Sequence, residues 1–166
     1  DWFWARFIPA HEVFYGVAHG AAMCACIGVV LGLTKFELRA FVKGTCGALL
    51  LGVVISAAFY PLTRVIGISA MFVCWAALWI GFALLHRHIE ALGSWLGASL
   101  RGLVGALLSG AGFTPIYYLW TQPPQDGPVW TLFFVAWMIA FLPGFAALFL
   151  RRRQPLLARQ RPPFQS

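Results

Sequence analysis

Residues 13–33 read Val-Phe-Tyr-Gly-Val-Ala-His-Gly-Ala-Ala-Met-Cys-Ala-Cys-Ile-Gly-Val-Val-Leu-Gly-Leu, with no charged side chain among them. As a helix rising about 1.5 Å per residue, this stretch is about 30 Å long, which matches the hydrocarbon core of a bilayer. A soluble helix has one apolar stripe and one charged face. Here apolar and small residues run all the way round, so every side faces lipid or protein.

Four more stretches have the same character, at 44–62, 66–85, 99–120 and 129–150. The composition agrees: of 166 residues, 61% are hydrophobic and 10% charged, and the mean hydropathy is +0.80. Soluble domains carry about 25% charged residues, so a soluble enzyme and a disordered chain are both excluded. Backbone in lipid must satisfy its own hydrogen bonds, and none of the runs alternates with a period of two, so helices are expected and barrel strands are not. The expected fold is an all-α integral membrane protein with five transmembrane helices. Residues 1–12 form an interfacial aromatic segment rich in Trp and Phe, 13–150 the bundle, and 151–166 a basic cytoplasmic tail. The chain begins at Asp1 rather than Met, which fits a cleaved leader or a preceding helix.

Sidedness follows from the basic residues. Lys35, Arg39 and Lys43 follow the first span, Arg87 and Arg101 bracket the connection after the third, and the tail holds Arg151, Arg152, Arg153, Arg159 and Arg161. Only Arg6 and Arg64 fall on the other side. The N-terminus is therefore expected outside and the C-terminus in the cytoplasm, in the cell (inner) membrane. The net charge of +7 is read as this topology signal together with attraction to anionic lipid, with Arg151, Arg152 and Arg153 as head-group contacts. Nucleic acid is not an expected partner, because the aromatics are embedded and do not interleave with an exposed basic surface.

The sequence also resembles itself. Lys43-Gly44-Thr45-Cys46-Gly47-Ala48-Leu49-Leu50-Leu51-Gly52 matches Arg101-Gly102-Leu103-Val104-Gly105-Ala106-Leu107-Leu108-Ser109-Gly110, and Phe72-Val73-Cys74-Trp75 matches Phe134-Val135-Ala136-Trp137. Helices 2–3 and 4–5 are thus expected to be two copies of one hairpin. Both copies start and end on the cytoplasmic side, which makes the repeat parallel.

Small residues recur every fourth position: Gly16, Gly20, Cys24, Gly28 and Gly32 in the first span, Gly44, Ala48, Gly52 and Ser56 in the second, Gly102, Ala106, Gly110 and Thr114 in the fourth, and Ala136, Ala140 and Gly144 in the fifth. Lipid supplies little hydrophobic drive between helices, so flat ridges that admit close backbone contact are expected to be packing seams. Phe72, Trp75, Trp79 and Phe82 form an aromatic stripe at helical spacing, read as core or lipid-facing. Pro115 and Pro143 should kink their helices.

Catalytic chemistry finds no constellation. No span has a charged residue near its middle. His11-Glu12-Val13-Phe14-Tyr15 begins like a zinc-protease motif, but Tyr15 stands where the second histidine is required. Cys24, Cys26, Cys46 and Cys74 lie inside apolar runs and read as small buried residues, not as a metal or disulfide framework. His19, about 9 Å into the first span among Ala18, Gly20, Ala21 and Ala22, is the one candidate ligand to a cofactor, although the sequence does not say which cofactor. The expected function is therefore a non-catalytic integral subunit packing against other membrane proteins, as in a respiratory or photosynthetic complex. The alternatives are a small permease or channel for a neutral or anionic solute, and a haem- or chlorophyll-binding protein using His19.

Overall fold

The structure, a computed structural model, describes residues 11–67, 69–91, 93–121 and 129–149, and within α-helices it leaves some side chains undescribed. It is all helical among these residues: α1 His11–Leu33, α2 Leu38–Ile66, α3 Ser69–Glu90, α4 Trp95–Thr121 and α5 Val129–Phe149. Three of them, α1 (from Val13), α2 and α3, are long and apolar enough to cross a membrane, and Ile139–Phe149 is a shorter apolar stretch. The segment 1–10, the tail from 150 onward and Arg151, Arg152 and Arg153 lie outside the described residues.

Several helices extend beyond their apolar runs. α2 starts at Leu38, after an extended Glu37, and so takes in Arg39 and Lys43. Both are exposed in its first turns, where long cationic stems can reach an interface. α4 likewise starts at Trp95. The α2–α3 break falls at Gly67, with φ +59°, a left-handed conformation that glycine adopts without steric cost, so α3 begins at Ser69 rather than 66. Pro61 lies inside α2 and Pro143 inside α5, and both helices continue past them. Pro115 lies within the range of α4, and its side chain is not described.

Short connections make consecutive helices antiparallel neighbours. Among the described residues α3 touches all four other helices, whereas α1 touches only α2 and α3, and α5 only α4 and α3. The bundle is therefore two three-helix groups, α1–α2–α3 and α3–α4–α5, sharing α3. The connections at the α1 end of α2 and the α3 end of α4 are tied together. Thr34 Oγ1 lies 2.7 Å from Leu31 O and 2.8 Å from Glu90 Oε1, so its single proton serves one acceptor at a time. Arg87 donates to Gly93 O at 3.2 Å and stacks its guanidinium 3.7 Å from the centre of the Trp95 ring.

Candidate functional site

Among the described residues the most extensive helix contact is between α1 and α2. Gly16 faces Tyr60, Gly20 faces Ser56, Cys24 faces Gly52, Gly28 faces Ala48, and Gly32 faces Gly44, so each step of four along one helix meets a step of four back along the other. A β-carbon on Gly28 would lie 2.6 Å from Ala48 Cβ and 2.8 Å from Gly44 C. One on Gly52 would lie 2.7 Å from Gly20 O and 3.0 Å from Ala21 Cα. At Gly28, Gly32, Gly44 and Gly52 backbone atoms of the other helix stand where a β-carbon would go, whereas at Gly16 and Gly20 the nearest atoms are the Tyr60 and Ser56 side chains.

The second group is organised differently, around one indole. Trp79 and Phe82 are fully buried, Trp75 is half-buried and Phe72 is exposed, so the aromatic stripe divides between the core and the outer surface. The Trp79 ring packs against Phe82 at 6.0 Å and against Phe141 and Phe145 at 5.7 Å each, centroid to centroid, mostly edge to face. It packs on Gly144, where a β-carbon would stand 2.7 Å from Cε2, and it borders Gly105, where one would stand 3.4 Å from Cε3. The indole N–H is buried without a hydrogen-bond partner among the described residues. Nearby, Ser109 is fully buried and its hydroxyl donates to Ala140 O at 2.5 Å, tying α4 to α5. That bond sits one residue beyond Ile139, whose carbonyl loses its usual intrahelical donor because Pro143 has no N–H.

The four-residue ridge of α4 divides along its length. Gly102 is buried against Trp79 O and Ile80 of α3, with a β-carbon there 2.8 Å from the oxygen, and Ala106 is buried. Among the described residues Gly110 has no atom within 4 Å of where a β-carbon would be, and Thr114 is exposed. Other glycines, outside the ridges, make contacts that the four-residue spacing does not mark. Gly47 faces Leu85, Gly81 faces Leu51, and Gly112 lies 3.0 Å from Ala140 Cα, measured from an added β-carbon.

His19 is exposed on the outside of α1, its ring stacked on Tyr15 with centroids 5.7 Å apart. His86 contacts the Phe149 ring at 5.1 Å at the opposite end of the bundle, so the structure does not bring it to His19. Among the described residues no three of His, Cys, Asp and Glu are grouped as metal ligands, and the four cysteines are free thiols, Cys24 buried, Cys74 half-buried, and Cys26 and Cys46 exposed. The chain matches no family model, no curated protein and no solved structure.

Proposed function

We propose that this chain is a non-catalytic integral subunit of the cell (inner) membrane that packs laterally against other membrane proteins. In this reading all five helices span, with the N-terminus outside and the basic tail in the cytoplasm. The observation that carries it is the divided ridge of α4. Gly102 and Ala106 are used inside the chain, whereas Gly110 and Thr114 continue the same ridge, with no atom of the described residues within 4 Å of a β-carbon at Gly110 and with Thr114 exposed. In lipid such a surface serves close helix approach, and a partner helix is the natural occupant. The interior supports the same reading, since among the described residues its largest fully buried side chains are Trp79, packed on Gly105 and Gly144, together with Phe82 and Leu31.

The duplicated parallel hairpin is part of the proposal, and two pairs of positions support it. Gly44 and Gly102, separated by 58 in the sequence, each pack against the preceding helix. Gly47 and Gly105, separated by the same 58, each meet the following helix, Gly47 at Leu85 and Gly105 at Gly144, although Gly105 also borders Trp79 of the preceding helix. The α1–α2–α3 and α3–α4–α5 groups are then successive, overlapping uses of one arrangement, with the glycine ridge of α1 replaced by Trp79 in the second.

Extraction in mild detergent followed by native mass spectrometry tests the function. The expected result is a larger species of fixed stoichiometry, from which Gly110→Leu releases the partner while circular dichroism shows the chain still folded, since no atom of the described residues lies within 4 Å of a β-carbon at Gly110. A chain isolated alone and monodisperse would contradict the proposal.

A further inference from the structure

The two faces of α1 differ in kind. One carries the glycine seam against α2. The opposite one carries Tyr15, His19, Ala22, Cys26, Val29 and Leu33, all exposed except the half-buried Val29. These positions alternate steps of four and three, a seven-residue repeat that keeps one row facing a partner helix along its length, as in a left-handed helix pair. α1 is at the edge of the bundle, in contact only with α2 and α3 among the described residues, so nothing described in this chain covers the row.

An imidazole in that row has a physical cost. α1 from Val13 to Leu33 is apolar enough to span a membrane, and lipid tails offer neither donor nor acceptor. Within the described chain His19 has the ring of Tyr15 beside it and no hydrogen bond. An apolar partner helix would leave both ring nitrogens as they are.

We propose that this face of α1 takes a second copy of the same chain, two α1 helices lying parallel and the two His19 imidazoles hydrogen-bonded to each other. Copies inserted with one orientation hold His19 at one depth, so a two-fold axis along the membrane normal brings like to like. A neutral imidazole has one donor and one acceptor nitrogen, which makes the pair self-complementary. Ala22 and Cys26, about one and two turns further along, are small enough for the backbones to close up. The proposal rests on the reading of the chain as a packing subunit and names one of its partners.

The native Cys26 gives a direct test, made on the full chain in membranes with Cys26 as the sole cysteine (Cys24→Ala, Cys46→Ala, Cys74→Ala). Oxidation should yield a disulfide-linked species of twice the chain mass. A variant keeping only Cys46, which is exposed on α2 away from this face, should stay monomeric. His19→Leu should raise the dimer dissociation constant about threefold to thirtyfold, the range for one interhelical hydrogen bond in a membrane. His19→Gln, which keeps a donor and an acceptor, should restore most of the loss, and both variants should retain the helical signal of the parent. Equal cross-linking through Cys26 and Cys46, or a His19→Leu variant that dimerises as tightly as the parent, overturns the proposal. A Cys26 adduct to a protein of another mass also overturns it and leaves the subunit reading standing. A two-fold adduct from a chain that co-purifies with no other protein supports it and removes the wider subunit reading.

Discussion

Replacing Gly28 by alanine adds one methyl group where the structure has no room for it. The added carbon would lie 2.6 Å from Ala48 Cβ and 2.8 Å from Gly44 C. Carbon atoms rest at about 3.5–4.0 Å, so α1 and α2 must separate by about 1 Å at that point, and a gap of this size forfeits about a quarter to a half of each neighbouring dispersion contact. No rotamer change relieves the clash, because Gly44 meets Gly28 through backbone. Overpacking of this kind costs about 1–3 kcal/mol. Alanine also lowers the conformational entropy of the unfolded chain and favours helix, a gain of up to about 1 kcal/mol at any helical glycine. Gly110→Ala has the same gain and meets no atom of the described residues within 4 Å. The difference in stability between the two variants therefore isolates the seam, with Gly28→Ala lower by about 1–3 kcal/mol. Unfolding in mixed micelles by denaturing detergent, followed by tryptophan fluorescence and circular dichroism, measures it. Equal midpoints for the two alanine variants would refute the backbone-contact seam.

Other expectations follow from the second group of helices. Trp79→Ala removes a fully buried indole and should cost about 3–5 kcal/mol, read in the same unfolding assay. Gly144→Ala presses a methyl group into the Trp79 ring and should destabilise the chain, whereas in a Trp79→Leu background the same change should cost much less; the double-mutant cycle reports the coupling. Ser109→Ala deletes the hydroxyl bond to Ala140 O and should cost about 0.5–2 kcal/mol, detected as a lower unfolding midpoint, with faster amide exchange in the turn before Pro143.

The existence of each helix was legible because uninterrupted apolar runs of bilayer length permit little else. Their ends were not. Arg39 and Lys43 look like loop residues to a hydropathy reading, yet they belong to the exposed first turns of α2, where charge can stay at an interface while the backbone is already helical. The ridge residues Gly16, Gly20, Gly28, Gly44, Ala48 and Gly52 could be picked out by spacing. Which helix each faces depends on tertiary pairing that one strand of sequence does not encode. Gly47 and Gly105 are marked instead by the repeated motif, in which both lie three residues after a matched ridge glycine. Trp79 was one of four aromatics in a stripe, and what sets it apart from Phe72 is the space left by Gly105 and Gly144 on other helices, invisible until those helices are placed. In the sequence His19 reads as a candidate cofactor ligand inside the first span, and its outward direction depends on the opposite face of α1 packing on α2.

Five membrane crossings with the basic connections in the cytoplasm are the premise on which the subunit reading stands, and site-directed labelling tests it most directly. In a cysteine-free background, single cysteines at Phe36, Gly67, Gly93 and Asp126 are exposed to a membrane-impermeant thiol reagent in intact cells and again after lysis. Five spans predict that Gly67→Cys and Asp126→Cys react from outside, whereas Phe36→Cys and Gly93→Cys react only after lysis. Reaction of Gly93→Cys and Asp126→Cys from the same side would show that α4 does not cross, and reaction of Phe36→Cys from outside would reverse the orientation.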